Sequence, residues 1–193
     1  MRIIAGSARG RPVAVPGSGV RPTADRVRES LFSILETYVE DWEQERVLDV
    51  YAGSGALGLE ARSRGAGSAV FVESDRRTAA VLESNCASLD LQGEVLRMPA
   101  GRLGRPSAPA TLVFLDPPYA LADSEVSEVL ARLVHQGWLE RGSLVVLERG
   151  SGDWHWPDGF SELSDRRYGA TRVRIATFRP EGGSMATGDR EGT

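Results

Sequence analysis

Arg46-Val47-Leu48-Asp49-Val50-Tyr51-Ala52-Gly53-Ser54-Gly55-Ala56-Leu57-Gly58 reads as a strand running into a glycine loop. Gly53, Gly55 and Gly58 satisfy G-x-G-x-x-G, and a helix is expected over Leu59 to Arg64, before the Gly65-Ala66-Gly67 break. Ser68-Ala69-Val70-Phe71-Val72 is the next strand, and Glu73 at its end lies 20 residues beyond Gly53. The glycines allow a tight turn and close approach to a ligand, and an acid at this spacing suits ribose hydroxyls. A nucleotide-type βαβ unit on a mostly parallel sheet follows.

Asp49 distinguishes between nucleotide ligands. It ends the first strand just before the glycines, where a carboxylate repels pyrophosphate but can offset the positive charge of S-adenosylmethionine and serve its methionine part. Glu73-Ser74-Asp75 closes the second strand, with Asp75 placed to cap a helix over Arg76 to Leu89. Gly93 to Met98 reads as the third strand.

A second signal lies downstream. The apolar run Ala110-Thr111-Leu112-Val113-Phe114-Leu115 is a buried parallel strand by pattern, and it opens directly into Asp116-Pro117-Pro118-Tyr119. Open α/β sheets place their chemistry at such carboxyl ends. Two consecutive prolines remove two N–H donors and stiffen the turn, leaving the Asp116 and Pro117 carbonyls as acceptors. The tetrapeptide is either an ordinary strand-ending turn or a clamp for a planar amine, with two N–H groups to satisfy and a face to stack on Tyr119. The upstream glycine loop favours the clamp.

At 193 residues the chain suits one domain with a short appendage. No apolar run is long enough to span a bilayer and no signal-peptide core opens the chain, so a cytoplasmic protein is expected. The single cysteine, Cys86, reads as a small half-buried side chain. Two histidines without nearby carboxylate or cysteine partners make no metal site. A net charge of −4 argues against a protein that coats nucleic acid indiscriminately. Every one of the 23 basic residues is arginine.

The charge is unevenly placed. Residues 1–35 hold six arginines against Asp25 and Glu29. Segments 2–6 and 11–15 read as a small hairpin about Gly6 to Gly10, and Thr23 is placed to cap an amphipathic helix carrying Val27, Leu31, Ile34, Leu35 and Tyr38. Arg26 and Arg28 near that helix start oppose its dipole, which an anion docking there would explain. Arg9, Arg11, Arg21, Arg26 and Arg28 are thus candidate phosphate contacts, the alternative being a solvated basic face.

In the carboxyl half, Ser124 to Gln136 is expected as a helix ending before Gly137, and Ser143 to Glu148 as a buried strand. Glu148-Arg149 at its end either borders the site or forms a surface ion pair. Ser161 to Tyr168 and Thr171 to Phe178 flank Gly169 as a closing hairpin that adds an antiparallel strand, with Arg166, Arg167, Arg172 and Arg174 as possible extensions of the basic face. Residues 180–193 read as a disordered tail.

Together the glycine-loop segment, Phe71-Val72-Glu73-Ser74-Asp75 and Asp116-Pro117-Pro118-Tyr119 resemble the motifs of class I S-adenosylmethionine-dependent methyltransferases acting on amino groups. Arg2-Ile3-Ile4-Ala5-Gly6, Arg21-Pro22-Thr23 and Arg26 to Phe32 are similar to the narrower RsmD-type family, which methylates N2 of one guanine in 16S ribosomal RNA. The resemblance covers residues 1–178. It implies a Rossmann-like, seven-stranded α/β sheet, mostly parallel with the last strand antiparallel, preceded by the hairpin and helix. The implied division is an RNA-binding extension over 1–40, a methyltransferase domain over 41–179 and a tail over 180–193.

The resemblance implies S-adenosylmethionine held by Asp49, Tyr51, Ala52, Gly53, Ser54, Gly55, Glu73, Ser74, Asp75 and Ala100. It implies catalysis by Asp116, Pro117, Pro118 and Tyr119, and RNA contact through the arginines and Thr23. The implied partner is 16S rRNA in a small-subunit particle or assembly intermediate, bound by a monomer, with no DNA and no membrane. Met98-Pro99-Ala100-Gly101 departs from relatives that carry an acid there, so adenine is expected to meet backbone and apolar groups. An adenine-N6 nucleic-acid methyltransferase, a nicotinamide oxidoreductase and a non-catalytic ribosome-assembly protein are the competing readings.

Overall fold

The computed structural model describes residues 1–16, 22–150 and 152–180, with the backbone alone for 22–24. Arg21, the side chain of Thr23 and the predicted tail beyond Pro180 lie outside the described residues. The elements run α1 Pro22–Leu35, β1 Arg46–Val50, α2 Ala56–Ser63, β2 Ser68–Val72, α3 Arg76–Leu89, β3 Glu94–Leu96, β4 Ala110–Leu115, α4 Asp123–Gln136, β5 Leu139–Gly150, β6 Phe160–Tyr168 and β7 Thr171–Phe178. One seven-stranded sheet has the order β3-β2-β1-β4-β5-β7-β6. All pairs from β3 to β5 are parallel, and β7 runs antiparallel to both of its neighbours.

This order positions the site. From β1 the chain winds outward through β2 and β3, then returns to the other side of β1 as β4 and winds the opposite way. Because β-α-β crossovers are right-handed, the helices of the two halves fall on opposite faces. Leu59 and Leu82 of α2 and α3 accordingly pack with Val47, Phe71 and Phe114, whereas Val126, Leu130 and Leu133 of α4 pack with Leu48, Val113 and Val145. The strand order reverses between β1 and β4, and a crevice opens there at the carboxyl edge.

Local signals set several boundaries. Asp75 caps α3 by accepting from the Thr78 N–H at 2.8 Å, and Gly137 ends α4 in the left-handed region at φ 81°. Several boundaries moved: β5 begins at Leu139 rather than Ser143, α1 ends at Leu35, short of Tyr38, and two helix starts shifted. α2 begins at Ala56 rather than Leu59, because left-handed Gly55 starts it and the Asp49 carboxylate accepts the Gly58 N–H at 2.9 Å inside its first turn. α1 begins at Pro22, a residue suited to a first helical position, so Thr23 stands within the first turn instead of capping it.

The amino-terminal hairpin forms about the antiparallel bridge of Arg2 to Pro12, with backbone bonds from the Ile3 N–H to Arg11 O at 3.0 Å, the Gly10 N–H to Ile3 O at 2.8 Å and the Val13 N–H to Met1 O at 2.9 Å. Side chains of distant helices satisfy further backbone groups along it. Fully buried Glu60 accepts from the Ile4 and Ala5 N–H groups at 2.7 and 3.0 Å, and Ser63 binds Ala5 O and the Ala8 N–H. Asn85 accepts from the Ala14 N–H and donates to Ala14 O and Ser54 O, tying this segment to the glycine loop. Gly6 must be glycine, since a Cβ there would stand 1.7 Å from Ser63 O. Ile3, Ala8 and Val13 join Val27, Leu31, Phe32 and Leu35 of α1 in the core layer beneath β1 and β4.

Candidate active site

Three chain segments leave the sheet edge side by side. In the parallel register Val50 lies beside Val72 and Leu115, and Leu115 beside Leu147. The glycine loop, Glu73 and Asp116 therefore emerge together, with Glu148 alongside on β5. Tyr51 turns the chain out of β1 with φ 66°, a conformation that strains a bulky residue and occurs mostly where function demands it. Gly53 and Gly55 follow at φ 57° and 82°, and a Cβ on Gly55 would meet Leu82 at 2.3 Å. The turn is held by Glu73, whose carboxylate accepts the Gly53 N–H at 3.0 Å and the Asp75 N–H at 2.7 Å.

A cavity of about 460 Å³ adjoins this turn. Tyr51, Glu73, Ser74 and the Met98–Gly101 segment line one side, and Leu121, Glu125, Val129 and Arg132 the other. Ala100 sits in the short helical turn Ala100–Arg102 at its wall. The Ala52–Gly55 turn and Asp116 lie outside this lining. The α4 wall was missed in the sequence, where Glu125 and Arg132 look like ordinary solvent-facing residues of an amphipathic helix. The Asp75 carboxylate caps α3, and that hydrogen bond holds its pKa below the usual value.

Beyond β4 the proline turn divides its acceptors. Pro118 O receives the Leu121 N–H at 2.9 Å and Arg149 Nη1 at 3.3 Å. Among the described residues no donor reaches Pro117 O or the Asp116 carboxylate. Arg149 also donates to Leu121 O and pairs with Asp123 at 2.6 Å, so it braces the turn from β5 instead of pairing with Glu148. Tyr119 is 68% exposed, its hydroxyl 3.4 Å from that of Thr171, and offers a free ring face.

The site is strongly acidic. Burial first, and then the charges of Asp116 and Glu73, push the Asp49 carboxyl up to about 7 against the opposing Gly58 hydrogen bond. Asp116 is exposed as a residue, yet partial loss of hydration raises its carboxyl to about 6. Glu148 rises to about 7 through desolvation and the Asp116 charge. Among the described residues no arginine pairs with Asp49, Glu73, Asp116 or Glu148. Such a pocket suits a cationic ligand and a hydrogen-bond donor.

The basic surface needs correction at two positions. Arg28 is only 5% exposed, with its guanidinium on Arg2 O at 2.6 Å and Asp25 at 3.1 Å. Arg11 binds Leu89 O and Ser88 O at the carbonyl end of α3. Both fasten the amino-terminal segment; Arg28 is thereby buried and unavailable as a phosphate contact, whereas Arg11 stays exposed with part of its guanidinium engaged. Arg9 and Arg26 are exposed. Of the carboxyl-terminal arginines, Arg174 is buried and Arg172 pairs with Asp165, whereas Arg166 and Arg167 are exposed.

Comparison with known proteins agrees with this architecture. The model of the family described as Conserved hypothetical protein 95 matches residues 1–177. Ribosomal RNA small subunit methyltransferase D of Escherichia coli K12 is 42% identical over 151 residues, covering 77% of this chain and 74% of that protein. The protein of the same name from Haemophilus influenzae is 39% identical over 183 residues, covering 91% and 92%. The solved structure of Escherichia coli yhhF superimposes with a TM-score of 0.81 at 36% identity, covering 94% of this chain and 99% of that one. The chain belongs to the Conserved hypothetical protein 95 family, the RsmD-type methyltransferases.

Proposed function

We propose that the protein transfers a methyl group from S-adenosylmethionine to the exocyclic N2 of a guanine in 16S ribosomal RNA, within a small-subunit particle or an assembly intermediate. The observation that carries this reading is the pair of acceptors at the end of β4, the Asp116 carboxylate and Pro117 O, without protein donors among the described residues beside the glycine loop. The names of the relatives supply ribosomal RNA as the substrate class. Work on ribosomal RNA fits a cytoplasmic monomer, and among the described residues no helix is long and apolar enough to cross a membrane.

The residues present fit the cofactor. Unpaired carboxylates at the glycine loop complement a ligand with sulfonium and ammonium groups and would repel a pyrophosphate. Glu73 retains lone pairs for ribose hydroxyls, Tyr51, Ser74 and Ala100 border the cavity, and the Met98–Gly101 segment offers backbone and apolar contact to adenine. Asp49 acts by charge and by holding the Gly58 N–H that shapes the loop. When bound, S-adenosylmethionine supplies an electrophilic methyl carbon on sulfur.

The protein's part is to make a poor nucleophile reactive. The lone pair of an aromatic amine is delocalised into the ring. Asp116 and Pro117 O accept its two hydrogens and favour a pyramidal nitrogen whose lone pair points out of the ring, while Asp116 stabilises the positive charge that develops there. Tyr119 stacks on the base, which must leave its own stack to enter. Arg9 and Arg26, with Arg21 and Thr23 beyond the described side chains, form the proposed RNA contact. Asp116→Ala should lower methyl transfer by about 100- to 1,000-fold while leaving S-adenosylmethionine binding by calorimetry largely intact. Unchanged turnover would remove Asp116 from the mechanism.

A further inference from the structure

The amine clamp alone accepts adenine nearly as well as guanine, and the structure holds a second carboxylate that separates the two. β4 and β5 are parallel and in register, Phe114 beside Val146 and Leu115 beside Leu147, so the next step sets Asp116 beside Glu148. Adjacent strands lie about 4.8 Å apart. Side chains alternate between sheet faces along a strand. Leu112, Phe114, Leu144 and Val146 belong to one core layer and Val113, Leu115, Val145 and Leu147 to the other. Continued past the last of these residues, the alternation turns Asp116 and Glu148 to the same face. The Asp116 charge is felt at Glu148, as its raised pKa records.

Glu148 is half-buried and has no internal partner. Among the described residues no hydrogen bond or ion pair reaches its carboxylate, and every nearby arginine is engaged elsewhere. Arg149 is held by Asp123, Pro118 O and Leu121 O. Arg172 and Arg174, which flank its β7 neighbour Val173, share Asp165, and Arg174 also donates to Gly152 O. A partly desolvated carboxylate beside another negative group is costly unless a ligand supplies donors.

Guanine supplies them in the required pattern. Its Watson–Crick edge presents N1–H directly beside the 2-amino group, a row of donors that two adjacent carboxylates match. Adenine presents an N1 lone pair beside its amine, which would face carboxylate lone pairs. We propose that Glu148 is the specificity-determining residue of the site, its carboxylate accepting N1–H of the target guanine while Asp116 and Pro117 O hold the amino group. This rests on the proposed methyl transfer to guanine.

The test uses 2-aminopurine, which keeps the 2-amino group but has an unprotonated N1. Small-subunit particles are assembled on ribosomal RNA carrying either guanine or 2-aminopurine at the position that the wild-type protein methylates. Wild type should favour guanine in kcat/KM by about 10- to 100-fold. Glu148→Ala should lower kcat/KM on guanine and erase the preference. Glu148→Gln, whose amide can accept from N1–H or donate to N1, should retain guanine activity and raise that on 2-aminopurine. Equal wild-type rates on the two bases, or a preference that survives in Glu148→Ala, would overturn the inference. If Glu148→Ala does not fold, the near-isosteric Glu148→Gln decides, and an unchanged ratio overturns it. A wild-type protein that methylates no guanine refutes the proposed function instead.

Discussion

Replacing Asp49 by asparagine removes a buried charge and keeps an oxygen for the Gly58 N–H, so the variant should be more stable and bind S-adenosylmethionine more weakly. Asp49 is 2% exposed. Burial, assisted by Asp116 and Glu73, moves its carboxyl from an ordinary 3.8 to about 7. A shift of roughly three pKa units disfavours the ionised form by about 4 kcal/mol, at about 1.36 kcal/mol per unit. Since the folded-state pKa is the higher one, the folded protein keeps a proton that the unfolded chain has already released. Wild type therefore loses stability as pH rises from about 4 to about 7, and the loss is complete above that.

Asparagine does not titrate. The stability gained by Asp49→Asn should be near zero at about pH 4, grow by about 1.4 kcal/mol per pH unit and level off near 4 kcal/mol by about pH 8. Urea unfolding of both proteins at three pH values measures this, and calorimetry measures the weakened binding. A stability difference that does not change with pH, or a variant less stable than wild type at pH 8, would refute the reasoning. Under the proposed function a bound cationic ligand offsets this buried charge.

Two further outcomes follow from the geometry. Glu60→Ala leaves the Ile4 and Ala5 N–H groups and Arg64 Nε without their shared acceptor; it should cost about 3–5 kcal/mol and release residues 1–16 to fast hydrogen exchange, whereas unchanged protection there would show that Glu60 does not fasten the segment. Methyl transfer should rise with pH, because Asp116, at about 6, stabilises the charge developing on nitrogen only when ionised, and Glu148, at about 7, is a stronger acceptor when ionised. As neighbouring charges they titrate as a pair, so kcat/KM should climb through two overlapping steps and plateau above about pH 8; a flat profile from about pH 5.5 to 8 contradicts that role.

What was legible in the sequence depended on how local its cause was. The strand-to-glycine turn, the Asp75 cap, the Gly137 stop and the hairpin about Gly169 are set by residues within one or two turns of chain, and all stand where the pattern placed them. The amino-terminal hairpin was legible but what fastens it was not, because Glu60, Ser63 and Asn85 lie more than 50 residues away. Separations of 78 and 26 residues likewise hid the bonds of Arg11 to Leu89 O and of Arg28 to Arg2 O.

The candidate site divides in the same way. Asp49, Glu73 and Asp116 end strands immediately before loops, a position that the pattern reveals. Glu148 lies within β5, and its importance comes from the register of β5 on β4 and from Arg149 turning to Asp123, neither of which a single chain segment records. The α4 wall of the cavity depends on the right-handed return from β4 to β5.

The most direct measurement is nucleoside analysis after reaction. Small-subunit ribosomal RNA from cells lacking the protein is incubated, in its particle, with methyl-labelled S-adenosylmethionine and either wild type or Asp116→Ala, then digested to nucleosides. Label confined to N2-methylguanosine with wild type, and absent with the variant, is the predicted result. Label in N6-methyladenosine, or no transfer by wild type, would contradict the account.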